Sequence, residues 1–465
     1  MPTPKVGLLP LYIALYDEAL PAVRKRMDTF YATITNELRD RGLEALTAPV
    51  CRLKKEFAAA VASFEKGRAD AIVTLHLAYS PSLESADALA GTHLPIVVLD
   101  TTPGYAFGPT TDPAEIMYNH GIHGVQDMCN LLIRNGKPFQ IEAGHWKESD
   151  VLDRVAAWAR AARLATSIRT ARVGRVGPPF KGMGDFSVPP DVLRSTIGIQ
   201  TIPLTPKMLP ALLPAENSKA VKAEMVDDLA RFEAVGVKAE NHRQTVRAGL
   251  AIRRWVEKEA LTAFTINFLA ADRKSGLPTM PFMEACKAMS RGIGYAGEGD
   301  VLTAALVGAL AASYPEATFT EMFCPDWKGG SIFLSHMGEF NIALAAQKPV
   351  LRQKPFPWTD VLAEPTVVVG RLRSGGAVMV NLAPGADHSY SLVVAPGQMV
   401  SIDEDAMSAS VRGWFRPAMP VADFLAAYSR AGGTHHSALV YGDVASDICR
   451  FGAIMGWNVV VLDRK

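Results

Sequence analysis

The sequence predicts two doubly wound α/β domains, of Rossmann or flavodoxin-like type, followed by a C-terminal antiparallel β-barrel-like domain. Three observations carry that prediction. Up to Tyr314 the chain alternates short apolar, β-branched runs with helical periodicity, the pattern of parallel sheets covered by helices. After Pro315 the texture changes to short strands separated by Gly, Pro and Asp, the spacing of an antiparallel barrel or sandwich. A chain of 465 residues also exceeds one ordinary hydrophobic core. The changes in texture place the domains at 1–170, 171–315 and 316–465.

In chain order, KVGLLP at residues 5–10 reads as a short buried strand. A helix follows over 20–41, because Val23, Met27, Phe30, Ile34 and Leu38 recur at three- and four-residue steps. Residues 43–50 are strand-like and 53–66 helical. DAIVTLHL (70–77) and LPIVVLD (94–100) are apolar, β-branched and bounded by turn residues, which predicts two parallel strands. Ligands of such sheets bind at the carboxyl ends of the strands, where His76, Thr101 and Thr102 stand. YNHGIHGVQDMCNLL (118–132) is a loop entering a helix; 137–144 is a strand and 151–170 a helix. RVGRVGPPFKGMGD (172–185) reads as strand, then loop. Helices are predicted over 218–233, 243–259, 280–291 and 301–312, with a strand at 263–269. Beyond Pro315, strands are predicted at 366–372, 377–382, 390–394, 399–402 and 457–462.

Composition excludes several classes. With 48 basic and 47 acidic residues the net charge is +1, which leaves no electrostatic footprint for nucleic acid or an anionic membrane. The longest small-apolar run, 301–313, is too short to span a bilayer. The N-terminal segment lacks a basic region followed by an apolar run and a small-residue cleavage site, so a cytoplasmic location is expected. Five scattered cysteines, none in Cys-x-x-Cys, argue against a disulfide framework or a structural zinc cluster. Cys324, three residues after Glu321, is the one to watch. No Gly-x-Gly-x-x-Gly follows the first strand and no Walker-type Gly-Lys-Ser/Thr is present.

The stretch GYAGEGDVLTAALVGALAASYPEATFTEMFCPDWKGGSIFLSHMGE (294–339) holds the most informative chemistry. Glu298 sits between two glycines, just before a helix for which Asp300 is a suitable N-cap. Small neighbours let the backbone approach a ligand, and the helix dipole favours a carboxylate there. Glu321 lies in TFTEMF, apolar or aromatic on both sides, where an unpaired charge is costly; it must be paired, protonated or bound to a metal. His336 ends an apolar run, and His435-His436 follows a Gly-Gly turn. Two carboxylates and two histidines form a ligand set for a hard or borderline divalent ion. Taken singly, each has a plainer alternative: a solvated loop glutamate, a structural ion pair, a satisfied core histidine. Asp387-His388, Arg172, Arg175 and Lys181 read as solvated loop or surface groups.

The segments YAGEGDVLTAAL, TFTEMF, LSHMGE and GGTHHSALVYG resemble the metal-site motifs of the L-arabinose isomerase family. Upstream, NHGIHG, GHW at 144–146 and GMGDF at 182–186 echo other signatures of that family, collinearly over about residues 115–462. The resemblance implies two α/β domains and a β-barrel-like domain, trimers or hexamers with sites between subunits, and conversion of aldoses into ketoses with Mn2+ or a similar ion (Co2+, Mg2+ or Zn2+). It also implies Glu298, Glu321, His336 and His436 as metal ligands, Glu298 and Glu321 as the acid–base pair, and His123, His435 and Met183 as substrate contacts.

The reaction expected on that basis is a ketol isomerisation of a pentose-like or modified monosaccharide through an enediol(ate). Glutamates near a metal suit it, since proximity and burial tune their acidity. The first strand carries LPLYIALYDE where the family has a polar glutamine–histidine pair, and the loops between ligand motifs are shorter. Both imply an altered pocket, so that a related polyol, sugar acid or modified sugar fits as well as L-arabinose. A sugar epimerase, another enediolate-forming metalloenzyme and a non-catalytic sugar-binding protein are the alternatives. A monosaccharide is the expected partner, with no nucleic acid and no membrane.

Overall fold

The computed structural model describes residues 3–463, and the chain separates into two compact units, one up to Thr166 and one from Ser167 onward. The first unit is built on strands β1 (Lys5–Leu11), β2 (Glu44–Thr47), β3 (Ala71–His76), β4 (Ile96–Asp100) and β5 (Phe139–Ala143). They form one parallel sheet in the order β2-β1-β3-β4-β5, a flavodoxin-like winding. The helix Pro21–Asp40 buries the apolar face read from the sequence: Val23, Met27, Phe30, Ile34 and Leu38. Leu9, Leu11, Phe57, Phe64, Ile72 and Val98 share one core cluster. No helix among the described residues is long and apolar enough to cross a membrane.

The second unit contains β6 (Arg172–Val176), β7 (Gln200–Pro203), β8 (Glu233–Val235), β9 (Ala263–Ile266) and β10 (Gly294–Gly297). Four of them make a second parallel sheet, in the order β10-β9-β6-β7. There follow β11 (Ala317–Asp326), β12 (Ser331–Ser335), β13 (Val350–Gln353), β14 (Thr366–Val369), β15 (Gly375–Pro384), β16 (Tyr390–Met399), β17 (Gly413–Pro417), β18 (His436–Tyr441) and β19 (Asn458–Val461). Strands β15, β18, β11, β12, β17 and β16 pair antiparallel in that sequence, and β16 pairs back onto β15. The result is a closed six-stranded barrel with β19 added parallel to β16. Strands β14, β13 and β8 form a separate small sheet.

The runs 390–394 and 399–402, expected as two strands, differ in the structure. They belong to one strand, β16, whose ladder with β15 is unbroken from Tyr390 to Met399. Val400 to Ile402 leave it as irregular chain. Pro396 and Gly397 look like turn residues in the sequence. Here Pro396 needs no donor for its pairing, and Gly397 is required because a Cβ would lie 2.4 Å from the Arg416 carbonyl oxygen on β17.

The helix Val301–Ser313 organises this unit. Every residue from Val301 to Ala311 is buried, so the helix has no polar face. It packs on β6, β9 and β10 of the parallel sheet and on β11, β15 and β18 of the barrel. Its small residues let it approach closely. A Cβ on Gly294 would sit 2.3 Å from the Gly308 nitrogen and 2.4 Å from the Ala304 carbonyl oxygen. Both are main-chain atoms of a helix clamped on two sides, so they cannot yield cheaply. Gly294→Ala is therefore expected to destabilise the unit by about 1–3 kcal/mol or more, as overpacking does; chemical denaturation of the two proteins side by side checks this.

Candidate metal centre

Glu298 follows the last residue of β10 and adopts a left-handed backbone, φ +63°, that a non-glycine residue holds only under constraint. The constraint comes from both sides: the Glu298 N–H donates to the Ile266 carbonyl at 2.9 Å, and its carbonyl accepts from Phe180 N–H at 2.9 Å. The flanking glycines are demanded by packing. A Cβ on Gly297 would lie 2.9 Å from Cε1 of His336, and one on Gly299 would lie 2.8 Å from the Pro178 carbonyl oxygen. The Gly-Glu-Gly sequence thus lets a strained carboxylate-bearing residue sit against a histidine ring.

The barrel supplies the other groups through its register. Glu321 on β11 stands opposite His436 on β18 and opposite Ser335 on β12, and His336 is the next residue along. The β11–β12 ladder shifts register between Met322 and Cys324, immediately beyond Glu321. His336 Nε2 lies 4.0 Å from Glu321 Oε2, and the Nε2 atoms of His435 and His436 each lie 3.7 Å from Glu298 Oε2. The ring of Phe319 meets both His336 and His436 edge-on, with centroids 4.8 and 5.0 Å apart.

Carboxylates behind the rings decide which nitrogen faces inward. His336 Nδ1 contacts Glu339 Oε2 at 2.6 Å, and the other Glu339 oxygen accepts from the Tyr295 hydroxyl at 3.0 Å. His436 Nδ1 contacts Asp300 Oδ2 at 3.0 Å, while Asp300 Oδ1 caps the helix by accepting from Thr303 N–H at 2.9 Å. Asp300 and Glu339 are both fully enclosed. His435 Nδ1 contacts Asp185 Oδ2 at 2.7 Å. With each Nδ1 engaged, each Nε2 is left for whatever lies in front of it.

Among the described residues, Glu298, His435 and His436 form one group whose ligand atoms lie within 4.8 Å of one another, and Glu321, His336 and His436 form another. His436 belongs to both. Glu298 Oε2 and His436 Nε2 are buried and have no hydrogen-bond partner. Buried polar atoms are rarely left unpaired, so these two, aimed at each other across 3.7 Å, fit a bound cation. The nitrogen and oxygen donors suit Mn2+, Co2+ or Zn2+.

The electrostatics agree. Burial acts to raise the Glu298 pKa, but His435, His436 and His336 outweigh it and hold the carboxyl below its ordinary range. Burial raises that of Glu321 despite the same histidines. Burial acts to lower His336, yet Glu339, Glu321 and Glu298 push it up. His435 is raised to about 9, with burial opposed by Glu298 and Asp185.

The structure therefore brings together Glu298, Glu321, His336 and His436, with His435 beside them. Met183 is carried on the segment that also carries Asp185, half-buried. His123 stands in the first unit, early in the helix Ile122–Arg134, its ring 5.9 Å from His120. Cys324 is exposed on β11 and is no member of either group. Sequence reasoning assigned Asp300 only its capping role and gave Glu339 and Asp185 none. The available signal was an acidic residue three positions from His336 and another two positions from Glu298.

Known families and proteins match this chain in the same region. The family described as the L-arabinose isomerase central domain matches residues 220–313, and the L-arabinose isomerase C-terminal domain matches 316–458. The L-arabinose isomerase of Herpetosiphon aurantiacus is 26% identical over 360 residues, 75% of this chain and 71% of that protein. That of Acidothermus cellulolyticus is 25% identical over 400 residues, 83% and 79% of the two chains. That of Salmonella arizonae is 23% identical over 420 residues, 87% and 82%.

Asp300 serves helix and histidine together, so its variants separate the two roles. Asp300→Ala removes the cap, at about 1 kcal/mol, and strands the buried His436 Nδ1, at about 1–3 kcal/mol. Asp300→Asn keeps an acceptor for Thr303 N–H and is expected to lose clearly less stability in the same denaturation experiment.

Proposed function

Because the chain belongs to the L-arabinose isomerase family, we propose that it is a sugar isomerase, interconverting an aldose and its ketose at the Glu298–Glu321–His336–His436 cluster with Mn2+ or a similar divalent ion. The substrate class is a pentose-like or modified monosaccharide. The observation that carries the reading is the pair of buried, partnerless atoms, Glu298 Oε2 and His436 Nε2, inside a convergence of two carboxylates and two imidazoles.

The four residues would hold the ion through Glu298, Glu321, His336 Nε2 and His436 Nε2. When bound, such an ion polarises a carbonyl and an adjacent hydroxyl. The chain's own groups do the rest. Isomerisation requires removal of a proton from the carbon beside the carbonyl and its return to the neighbouring carbon. Glu298 and Glu321 would move it, through an enediol(ate), as general base and general acid. Asp300 and Glu339 keep the two inner imidazoles in one tautomer and one orientation while this happens. Phe319, wedged edge-on between the rings, and the buried faces of β11 and β18 keep water from the back of the site. His435 and the half-buried Met183 would meet the sugar from the exposed side. The same reading includes a cytoplasmic homo-oligomer, trimeric or hexameric, with sites between subunits, and His123 as a further substrate contact.

Elemental analysis of the purified protein after incubation with Mn2+, followed by an aldose-to-ketose assay, tests the proposal. About one ion per chain is expected in the wild type. Glu321→Gln and His336→Ala should lose the ion or bind it at least tenfold more weakly, with activity falling in step. A wild-type protein that stays metal-free, or a loaded one that converts no aldose, would overturn it.

A further inference from the structure

Each of the three histidines at the centre has its Nδ1 against a carboxylate, but the three carboxylates are not equivalent. Asp300 and Glu339 are enclosed and belong to the helix cap and the β12 segment. Asp185 is 37% exposed at its side chain and rides on the glycine- and proline-rich segment 177–188, which leaves the end of β6. Its Oδ2 is a shared acceptor, 3.0 Å from the His435 main-chain nitrogen and 2.7 Å from His435 Nδ1. One oxygen thus fixes both the backbone and the ring edge of His435.

The same segment grips the centre at two more places. Phe186 lies nearly parallel to the His436 ring, centroids 5.2 Å apart at 15°, and touches His435 at 5.5 Å. Phe180 N–H holds the Glu298 carbonyl. The His435 side chain is 30% exposed where that of His436 is fully buried. It stands at the open edge of the cluster, its Nε2 beside Glu298 but too far for a hydrogen bond.

We propose that Asp185 is a positioning residue for the isomerisation: it holds His435 so that Nε2 faces a hydroxyl or carbonyl oxygen of the open-chain sugar beside Glu298, and not the ion. This rests on the isomerase reading above. The cation would be held by Glu298, Glu321, His336 and His436, and the half-buried His435 imidazole, the more open of the two at the Glu298 carboxylate, serves the substrate. Without the carboxylate, the ring can rotate about its side-chain bonds and the Nε2 edge is lost, while Glu321, His336 and His436 stay where the barrel register puts them and Glu298 stays in its turn after β10.

The test uses Mn2+-loaded full-length protein, wild type and Asp185→Ala, Asp185→Asn, His435→Gln and the Asp185→Ala/His435→Gln double variant. Metal per chain, thermal midpoint, kcat and KM on an aldose that the wild type converts, and calorimetric binding of L-arabinitol (an open-chain pentitol) are measured. Asp185→Ala should keep its metal and thermal midpoint and lose about tenfold to a hundredfold in kcat/KM. Asp185→Asn, whose amide oxygen still accepts from both N–H groups, should recover part of that loss. The double variant should be no worse than His435→Gln alone, because the effect passes through one ring. Unchanged kcat/KM in Asp185→Ala, loss of metal in that variant, or additive effects in the double variant would each contradict the proposal. Should the loaded wild type convert no aldose, the isomerase reading fails by that result alone. Asp185 is then judged on L-arabinitol binding, which must weaken about tenfold in Asp185→Ala if it positions His435.

Discussion

One enclosed carboxylate ties the second unit together. Asp300 gives one oxygen to the first turn of the helix Val301–Ser313 and the other to His436 Nδ1. The helix is apolar all round and packs between a parallel sheet and a barrel, so its start cannot shift without moving both. A polar group enclosed in such a place needs its hydrogen bonds, and both Asp300 oxygens have one. The carboxyl group that caps the helix is therefore the one that orients the ring. Fold and site share one constraint, and Glu298 stands two residues before Asp300, in a turn closed by the Asp300 N–H donating to the Gly297 carbonyl at 3.0 Å.

The barrel contributes by register. Cross-strand neighbours in an antiparallel sheet stand about 5 Å apart, so pairing Glu321 with His436 and with Ser335 brings a carboxylate and two imidazoles together at the middle of β11, where β12 ends and β18 begins. A slip of one residue would turn each of these side chains to the other face. Closure of the six strands blocks such a slip, because every ladder is held by the next. The strained φ of Glu298 survives for a similar reason, pinned by a hydrogen bond donated to Ile266 on β9 and one accepted from Phe180 in the loop after β6.

Much of this was legible in the residues. Helical periodicity over 20–41 names the face that is buried, and the β-branched runs of β3 and β4 mark a parallel sheet because such strands are covered on both sides. Glu298, Glu321, His336 and His436 stand out through their small or apolar neighbours, and they do converge. What sequence could not show is distance between strands far apart along the chain: the pairing of β11 with β18 spans more than a hundred residues. For the same reason the partners behind the rings stayed hidden. Asp185 reaches His435 across 250 residues, and Asp300 reaches His436 across 136. The single strand β16 reads in the sequence as two because Pro396 and Gly397 resemble a break, whereas their neighbours on β15 and β17 accept a strand with those residues in it.

A divalent ion held by Glu298, Glu321, His336 and His436 would sit between the Gly-Glu-Gly loop and the barrel. Anomalous diffraction from crystals grown with Mn2+ measures that position directly. A single strong peak is expected about 2.0–2.3 Å from carboxylate oxygens of Glu298 and Glu321 and from Nε2 of His336 and His436, with His435 turned toward Asp185 and outside the ligand set. No peak at that point, or a peak bound to His435 in place of His336, would contradict the account.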